Sequence, residues 1–392
     1  MIDLVQVRAD TAGCEDIAHF NNAGSSLPPR VVVDAMVDYL RAEELVGGYE
    51  IAAERLEDLD AIYDATARYL NCQPSEVAFA TSAADGWWRA FSSVPLKAGD
   101  RILVGHSEYQ ANAFGWLQAR DRGVIVDVVS NDPAGTFDVQ AFETMLDERV
   151  KLVSLTMVAM TNGAVHPATA VGDVLKRVGS DAIYLIDACQ AAGQLPLDVS
   201  QLGCHFLNYT GRKFMRGPRG TGILYARADV HDRLGPTAFV DGRSATWSTT
   251  DSFDYQPDAK RFEFGEVGYG AKVGLGVATN YMLDVGIDAI EERVNNIAGL
   301  LRSDLATIPG VRVLDQGVKQ CGIVTFDVES MTSAQVQDEL RAAGFNLSGP
   351  GVLMAQLELG PRSLEEVVRA GVHYFNSEEE IARLCEAVSN LQ

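Results

Sequence analysis

Between residues 77 and 226, seven short apolar runs (77–80, 101–104, 124–129, 151–156, 182–186, 205–209 and 222–226) alternate with segments of helical character. The runs are hydrophobic throughout rather than at every second residue, which is the pattern of strands covered on both faces. A sheet with helices on each side buries such strands, so the chain is expected to be α/β, with a mostly parallel seven-stranded sheet in a large domain. Pro28 and Pro29 open a helical stretch to about Val46, and a second runs from about Ile51 to Tyr69. Residues 235–258, rich in Thr, Ser, Asp and Gly, read as a long functional loop. A helical stretch at 270–305 follows, then a strand at 321–328, a helix at 333–343, a strand at 367–375 and a last helix. The expected organisation is an N-terminal arm (1–27), a large domain (28–270), and a linking helix with a smaller C-terminal α/β domain (271–392).

The 392 residues carry a net charge of -22. Nucleic acid and anionic membrane surfaces need an excess of Lys and Arg, so neither is expected as a partner. Basic residues in such a chain should be local and purposeful. The six cysteines form no Cys-x-x-Cys pair and no dense framework, so neither a metal site nor a disulfide scaffold is expected. The first residues lack a basic start followed by an apolar core, no apolar run approaches membrane-spanning length, and a cytoplasmic protein is expected.

In parallel sheets, ligands collect where the carboxyl ends of strands meet loops. Lys213 lies in such a place, between two apolar runs, with Arg212, Arg216 and a glycine-rich turn around it. A Schiff-base lysine must spend time as a neutral amine, and a cationic neighbour lowers its pKa. Lys97, Lys151, Lys176, Lys260, Lys272 and Lys319 lie beside turns, at element edges or on charged helix faces, where a solvated ammonium is expected. Asp187 ends one apolar run, with Gln190 one short turn beyond; a carboxylate there can hold a heteroaromatic nitrogen protonated, or simply cap a helix. Residues 81–86 follow another run and open a helix, whose free N–H groups at Ala83 and Ala84 form an anion site. Tyr109, after a third run, can present an aromatic face to a flat cofactor or pack in the core. Residues 217–222 can equally serve as the anion loop of a nucleotide- or phosphate-binding α/β protein without Schiff-base chemistry.

Taken together, cradle, ring, acid and lysine in this order resemble the class V aminotransferase branch of fold-type I pyridoxal phosphate enzymes, the branch of cysteine desulfurases, cystine lyases and isopenicillin N epimerases. The most specific pieces are residues 186–193 (Ile-Asp-Ala-Cys-Gln-Ala-Ala-Gly) and 210–222 (Thr-Gly-Arg-Lys-Phe-Met-Arg-Gly-Pro-Arg-Gly-Thr-Gly), and the likeness runs from residue 20 to residue 376. The resemblance implies pyridoxal 5'-phosphate as cofactor, an amino-acid substrate and a homodimer. It makes Lys213 the Schiff-base lysine, Asp187 the partner of the ring nitrogen, Gln190 a donor to the phenolic oxygen, and Thr210 and Arg212 phosphate contacts. Arg369 is then the anchor of the substrate carboxylate, with Asn22 and Glu266 as further substrate contacts.

Three departures shape the expected activity. Tyr109 stands where the family has a stacking histidine, and a phenol is a poor proton shuttle near neutrality. Residues 346–360 contain no cysteine, where desulfurases carry the persulfide-forming nucleophile, so a cysteine desulfurase is not expected. Glu266 replaces a threonine that reaches the phosphate across the dimer. Residues 264–267 (Phe-Gly-Glu-Val), with 44–49 and 108–109, look like the C–S lyases of the ergothioneine pathway. The expected reaction is therefore β-elimination at a cysteine S-conjugate or its sulfoxide, with Lys213 removing the α-proton and Trp87, Trp88, Trp116, Arg243 and Glu266 as candidates for the leaving group. Epimerisation and transamination stay open, since both begin with the same proton loss.

Overall fold

A computed structural model describes residues 2–329 and 331–391. The short strand β1 (Ala18–His19) precedes the expected seven: β2 (Val77–Ala80), β3 (Arg101–Val104), β4 (Ile125–Val128), β5 (Val150–Thr156), β6 (Ile183–Asp187), β7 (Phe206–Thr210) and β8 (Gly222–Ala226). The seven form one sheet in the order β2-β8-β7-β6-β5-β3-β4, in which β8 alone runs against its neighbours. Leu103, Val153, Tyr184, Ile186 and Leu207 pack on one face with Val171, Leu175 and Leu275. Their alternates Ile102, Val104, Leu152, Leu185 and Phe206 pack on the other with Trp87, Phe91 and Trp116. Both faces are core, which is why the apolar runs show no period of two.

Residues 235–258 are not the structureless loop expected. They contain the hairpin β9 (Ala245–Thr249) and β10 (Ser252–Tyr255), which pair antiparallel with most side chains exposed. Thr, Trp, Phe and Tyr suit a pleated surface even where no apolar face is buried, so the β-propensity was present without the hydrophobic alternation that reveals it. The helical stretch at 270–305 is two helices, Tyr269–Val285 and Ile287–Leu305, divided at Gly286, whose φ of 92° lies outside the helical region.

Toward the C-terminus, β11 (Val311–Val313), β12 (Ile323–Val328) and β14 (Val368–Gly371) form an antiparallel sheet in the order β11-β12-β14. Between the last two in sequence, β13 (Phe345–Asn346) pairs in parallel with β1 in a separate two-stranded sheet, which ties the N-terminal arm to the C-terminal part. Arg8 strengthens the tie through Glu380 at 2.9 Å and the Phe375 carbonyl at 2.9 Å. Among the described residues, no helix is long and apolar enough to cross a membrane.

Candidate functional site

The carboxyl ends of β5, β6 and β7 open into a cavity of about 340 Å³ lined by Ala83, Ala84, Tyr109, Asp187, Gln190, Thr210, Arg212, Lys213 and Arg369. Nine side chains and amides picked from separate stretches of sequence thus meet in one place. A larger open groove of about 1190 Å³ runs over the C-terminal part, holds no lysine, cysteine or histidine, and meets the cavity at Met354.

Two glycines let the loops converge. At Gly193, with φ of 88°, a Cβ would lie 2.3 Å from the Phe214 carbonyl, so the turn after Asp187 can lie directly on the lysine loop only without a side chain. At Gly222, a Cβ would lie 2.6 Å from the Ser82 carbonyl carbon, so the start of β8 passes close beneath the turn that opens the helix Ala83–Ser93. Ser82 caps that helix by accepting from the Asp85 amide at 3.0 Å. Ala83 and Ala84 are the first helical residues, whose N–H groups have no acceptor within the helix and point out along its dipole.

Lys213 Nζ lies 3.3 Å from Cys189 Sγ. Burial lowers the lysine's pKa, the neighbouring Cys189 and Asp187 oppose, and Arg212 and Arg369 add to the lowering; burial in turn raises the Cys189 thiol. Asp187 is 4% exposed and accepts from the Cys189 amide at 2.9 Å and from Asn112 Nδ2 at 2.8 Å. Burial raises its carboxyl, while Asn112, that amide and Lys213 pull it back. A cation seated against it would restore its charge.

Arg369 is 7% exposed, donates to the Met160 carbonyl and to Ser348 Oγ, and has no carboxylate partner among the described residues. Its Nε is buried without any partner, and burial with Arg212 nearby pulls its pKa down to about 10. A buried guanidinium with an unused edge is a ready site for a carboxylate. Arg212 donates to the Gly24 carbonyl, and Thr210 Oγ1 to the Thr221 carbonyl at 3.1 Å. Gln190 Nε2 donates to the Ala23 carbonyl at 3.1 Å, which leaves its buried Oε1 without a partner. As it lies, the free end of Gln190 is an acceptor; to donate to a phenolic oxygen, the amide must turn over and give up Ala23.

These features suit pyridoxal 5'-phosphate: an amine of lowered pKa for the aldehyde, a carboxyl for the ring nitrogen, and amides with Arg212 and Thr210 for the phosphate. The orphaned Nε of Arg369 and Oε1 of Gln190 are polar atoms that a bound ligand would satisfy.

Other expected residues lie elsewhere. Asn22 is fully buried, donates to the Gly371 carbonyl at 2.7 Å and accepts from Ser26 at 2.6 Å, so its polar atoms are used by the fold. Glu266 is exposed and outside the cavity. Trp87 is fully buried and stacks on Phe91 at 4.6 Å; Trp116 is 6% exposed, and Trp88 is half-buried against both rings of that stack, so none of the three lines the cavity. Arg243 is bound to Glu263 at 3.0 Å. Lys272, expected as a solvated ammonium, is 5% exposed, donates to Tyr63 at 2.8 Å, and is lowered to about 8 by burial. Within 44–49, Gly47, φ 108°, ends a helix and Tyr49 beyond it is 80% exposed, outside the cavity.

Three residues in or beside the site were given no role of their own from sequence. Asn112 lies one helical turn beyond Tyr109 and Glu108 immediately before it, and only the folded sheet, in which β5 alone separates β3 from β6, brings both toward Asp187. Cys189 sat inside the quoted motif, two residues after the acid, and its place beside Lys213 was legible only from the fold.

Comparison with known proteins agrees with this geometry. The family model for aminotransferase class V matches residues 18–384. The probable cysteine desulfurase of Methanothermobacter thermautotrophicus is 27% identical, over 98% of this chain and 97% of that protein. The apo structure of the cysteine desulfurase from Thermococcus onnurineus superposes with a TM-score of 0.92 at 24% identity, covering 100% of this chain and 98% of the other. The cystine C–S lyase C-DES, solved with its reaction product cysteine persulfide, gives 0.86 at 24% identity, covering 97% and 99%.

The expected fold, a fold-type I architecture with a mostly parallel seven-stranded sheet, is met. The expected activity is corrected: relatives matching over nearly the whole chain are named cysteine desulfurases, which overturns both the elimination from cysteine conjugates and the exclusion of a desulfurase. That exclusion counted cysteines only in residues 346–360, whereas the fold brings a thiol into the cavity from the Asp187 turn. The chain belongs to the class V aminotransferase family.

Proposed function

We propose that this chain is a pyridoxal phosphate enzyme that takes sulfur from L-cysteine. The observation that carries the reading is the shared cavity of Lys213, Cys189 and Arg369: an amine, a thiol 3.3 Å from it, and a buried guanidinium without a counter-ion. Bound there, the cofactor supplies an electron sink for negative charge at the substrate α-carbon. Asp187 holds the ring nitrogen protonated. Arg369 anchors the substrate carboxylate. Lys213 Nζ, lowered by burial, carries the cofactor and then takes and returns the α-proton. The Cys189 thiol gives its proton to Lys213 and attacks the substrate sulfur. The substrate Cβ–S bond breaks, an S–S bond forms on Cys189, and the carbon skeleton leaves as alanine once Cβ has gained a proton.

The whole-length relatives named cysteine desulfurases support this choice of substrate. The same reading makes the enzyme a cytoplasmic homodimer. Val33, Val37 and Leu40, exposed at 43%, 50% and 54% along one helix, support a second copy.

The test is to incubate the holoenzyme with L-cysteine and measure alanine, pyruvate and the mass of the peptide containing Cys189. Alanine with one added sulfur on Cys189, both lost in Lys213→Ala, is the expected result. Pyruvate and ammonia in place of alanine overturn the reading. Alanine at an undiminished rate from Cys189→Ala removes the thiol from it.

A further inference from the structure

Behind Asp187 lies a second carboxyl that the proposed chemistry does not use. Glu108 follows β3, is 4% exposed, and does not line the cavity. Thr156 Oγ1 at the end of β5 donates to its Oε1 at 3.3 Å, while its Oε2 is buried with no hydrogen-bond partner. Thr156 stands opposite Asp187 in the sheet register, and Asn112, four residues after Glu108, donates to Asp187. Around Glu108 on β5 and the following helix the packed groups are thus neutral, and on β6 the one charge acting on it is Asp187, with Lys213 beyond. Among the described residues, Glu108 makes no ion pair.

A buried carboxylate without a cation is costly, and two neighbouring carboxyls do not both ionise freely. Asp187 has the better claim to the charge, because it accepts two hydrogen bonds and feels Lys213. Glu108 has a long hydrogen bond from Thr156 Oγ1, further help from Asn112 and the Thr156 backbone, and an Oε2 with no hydrogen-bond partner of its own. Burial first, and the Asp187 charge second, push it up to about 8. Of the two, Glu108 is therefore the better placed to hold a proton while no cation lies against Asp187.

We propose that Glu108 is a second counter-ion for the cofactor ring: neutral while the cavity is empty, and ionised as the cationic ring nitrogen seats against Asp187. Its proton passes to solvent, no bond to the cofactor forms, and Glu108 acts through Asp187 as a positioning residue. The pair then balances the ring cation with more than one negative charge, and cofactor capture becomes linked to proton release. The inference rests on pyridoxal phosphate as the cofactor and on nothing about the substrate.

Calorimetric titration of apo protein with pyridoxal phosphate, in two buffers of different ionisation enthalpy, counts the protons exchanged. Any proton exchange at Lys213 is common to the wild type and Glu108→Gln, so the difference between them reports Glu108. Near pH 8 the wild type is expected to release several tenths of a proton more than the variant, and near pH 5 the difference should vanish. Over the same range the wild-type affinity should gain up to about tenfold on the variant, the value of one unit of coupling. Equal proton counts at both pH values overturn the proposal. Should Glu108→Gln fail to fold, infrared difference spectra of the wild type decide the matter. Loss of a protonated carboxyl band on cofactor addition supports the inference, and its persistence overturns it. A wild type that takes up no pyridoxal phosphate overturns the proposed function as well, so the two failures are distinguishable.

Discussion

Arg369 reaches Met160 and Ser348 with two of its nitrogens and leaves the third unused, a geometry that a lysine cannot copy. Arg369→Lys should therefore raise KM for the amino acid by about ten- to a hundredfold with a smaller fall in kcat, because one point charge replaces a planar fork. Steady-state kinetics checks this, and an unchanged KM would remove Arg369 from the carboxylate site. Lys213 and Asp187 were legible because each is a charged group placed where an apolar run gives way to a loop, the position at which ligands collect in a parallel sheet. Asn112, Glu108 and Cys189 were not, since a small polar residue at the start of a helix or in a turn is ordinary until its neighbours across the sheet are known. Asn22 shows the opposite case. It lies in a motif that resembles the family, yet its amide is spent on backbone carbonyls and Ser26.

At the scale of elements, the site depends on two turns lying against each other, the one after β6 and the lysine loop after β7. Gly193→Ala would place a methyl at 2.3 Å from Phe214 and force φ of 88° on a residue that disfavours it. The loops must part, so the variant should lose about 2–4 kcal/mol of stability and bind cofactor at least tenfold more weakly. Thermal unfolding and cofactor titration measure the two effects separately. The strands of the main sheet could be read from sequence to within a residue or two because both of their faces are buried. The hairpin of β9 and β10 could not, because it is exposed on nearly every residue and carries no hydrophobic pattern. The break at Gly286 was hidden for a related reason: the apolar period continues through it, and only the backbone angle marks the end of one helix.

For the whole molecule, acid stability draws on buried histidines, of which His166 and His205, neither of them lining the cavity, each accept a backbone hydrogen bond. His166 Nδ1 accepts from the Phe137 amide at 3.1 Å, and His205 Nδ1 from the Tyr184 amide at 2.9 Å. Each must be neutral at Nδ1 to accept, and burial lowers both to about 4. The unfolded chain binds protons at these residues near pH 6.5 and the folded chain only near 4, so stability is fully present above the unfolded value and is lost as pH falls through this window. Each histidine accounts for on the order of 3 kcal/mol of that loss. His205→Asn keeps an acceptor and cannot charge; its Tm should fall less steeply than that of the wild type between about pH 6.5 and 4. Equal slopes would remove His205 from the acid response.

The pairing of β1 with β13 has a consequence for synthesis. Asn21 accepts from Ser348 Oγ at 2.5 Å, and Ser348 in turn accepts from Arg369. Asn21 and Ser348 thus fix the same guanidinium from two distant parts of the sequence, and Lys213 and Asp187 are translated well before Ser348 and Arg369. A nascent chain can form the main sheet and present its lysine well before it holds Arg369, the proposed carboxylate anchor. During translation the polypeptide should capture cofactor before it can select an amino acid, and specificity arrives last, with the return of the chain's end to its beginning.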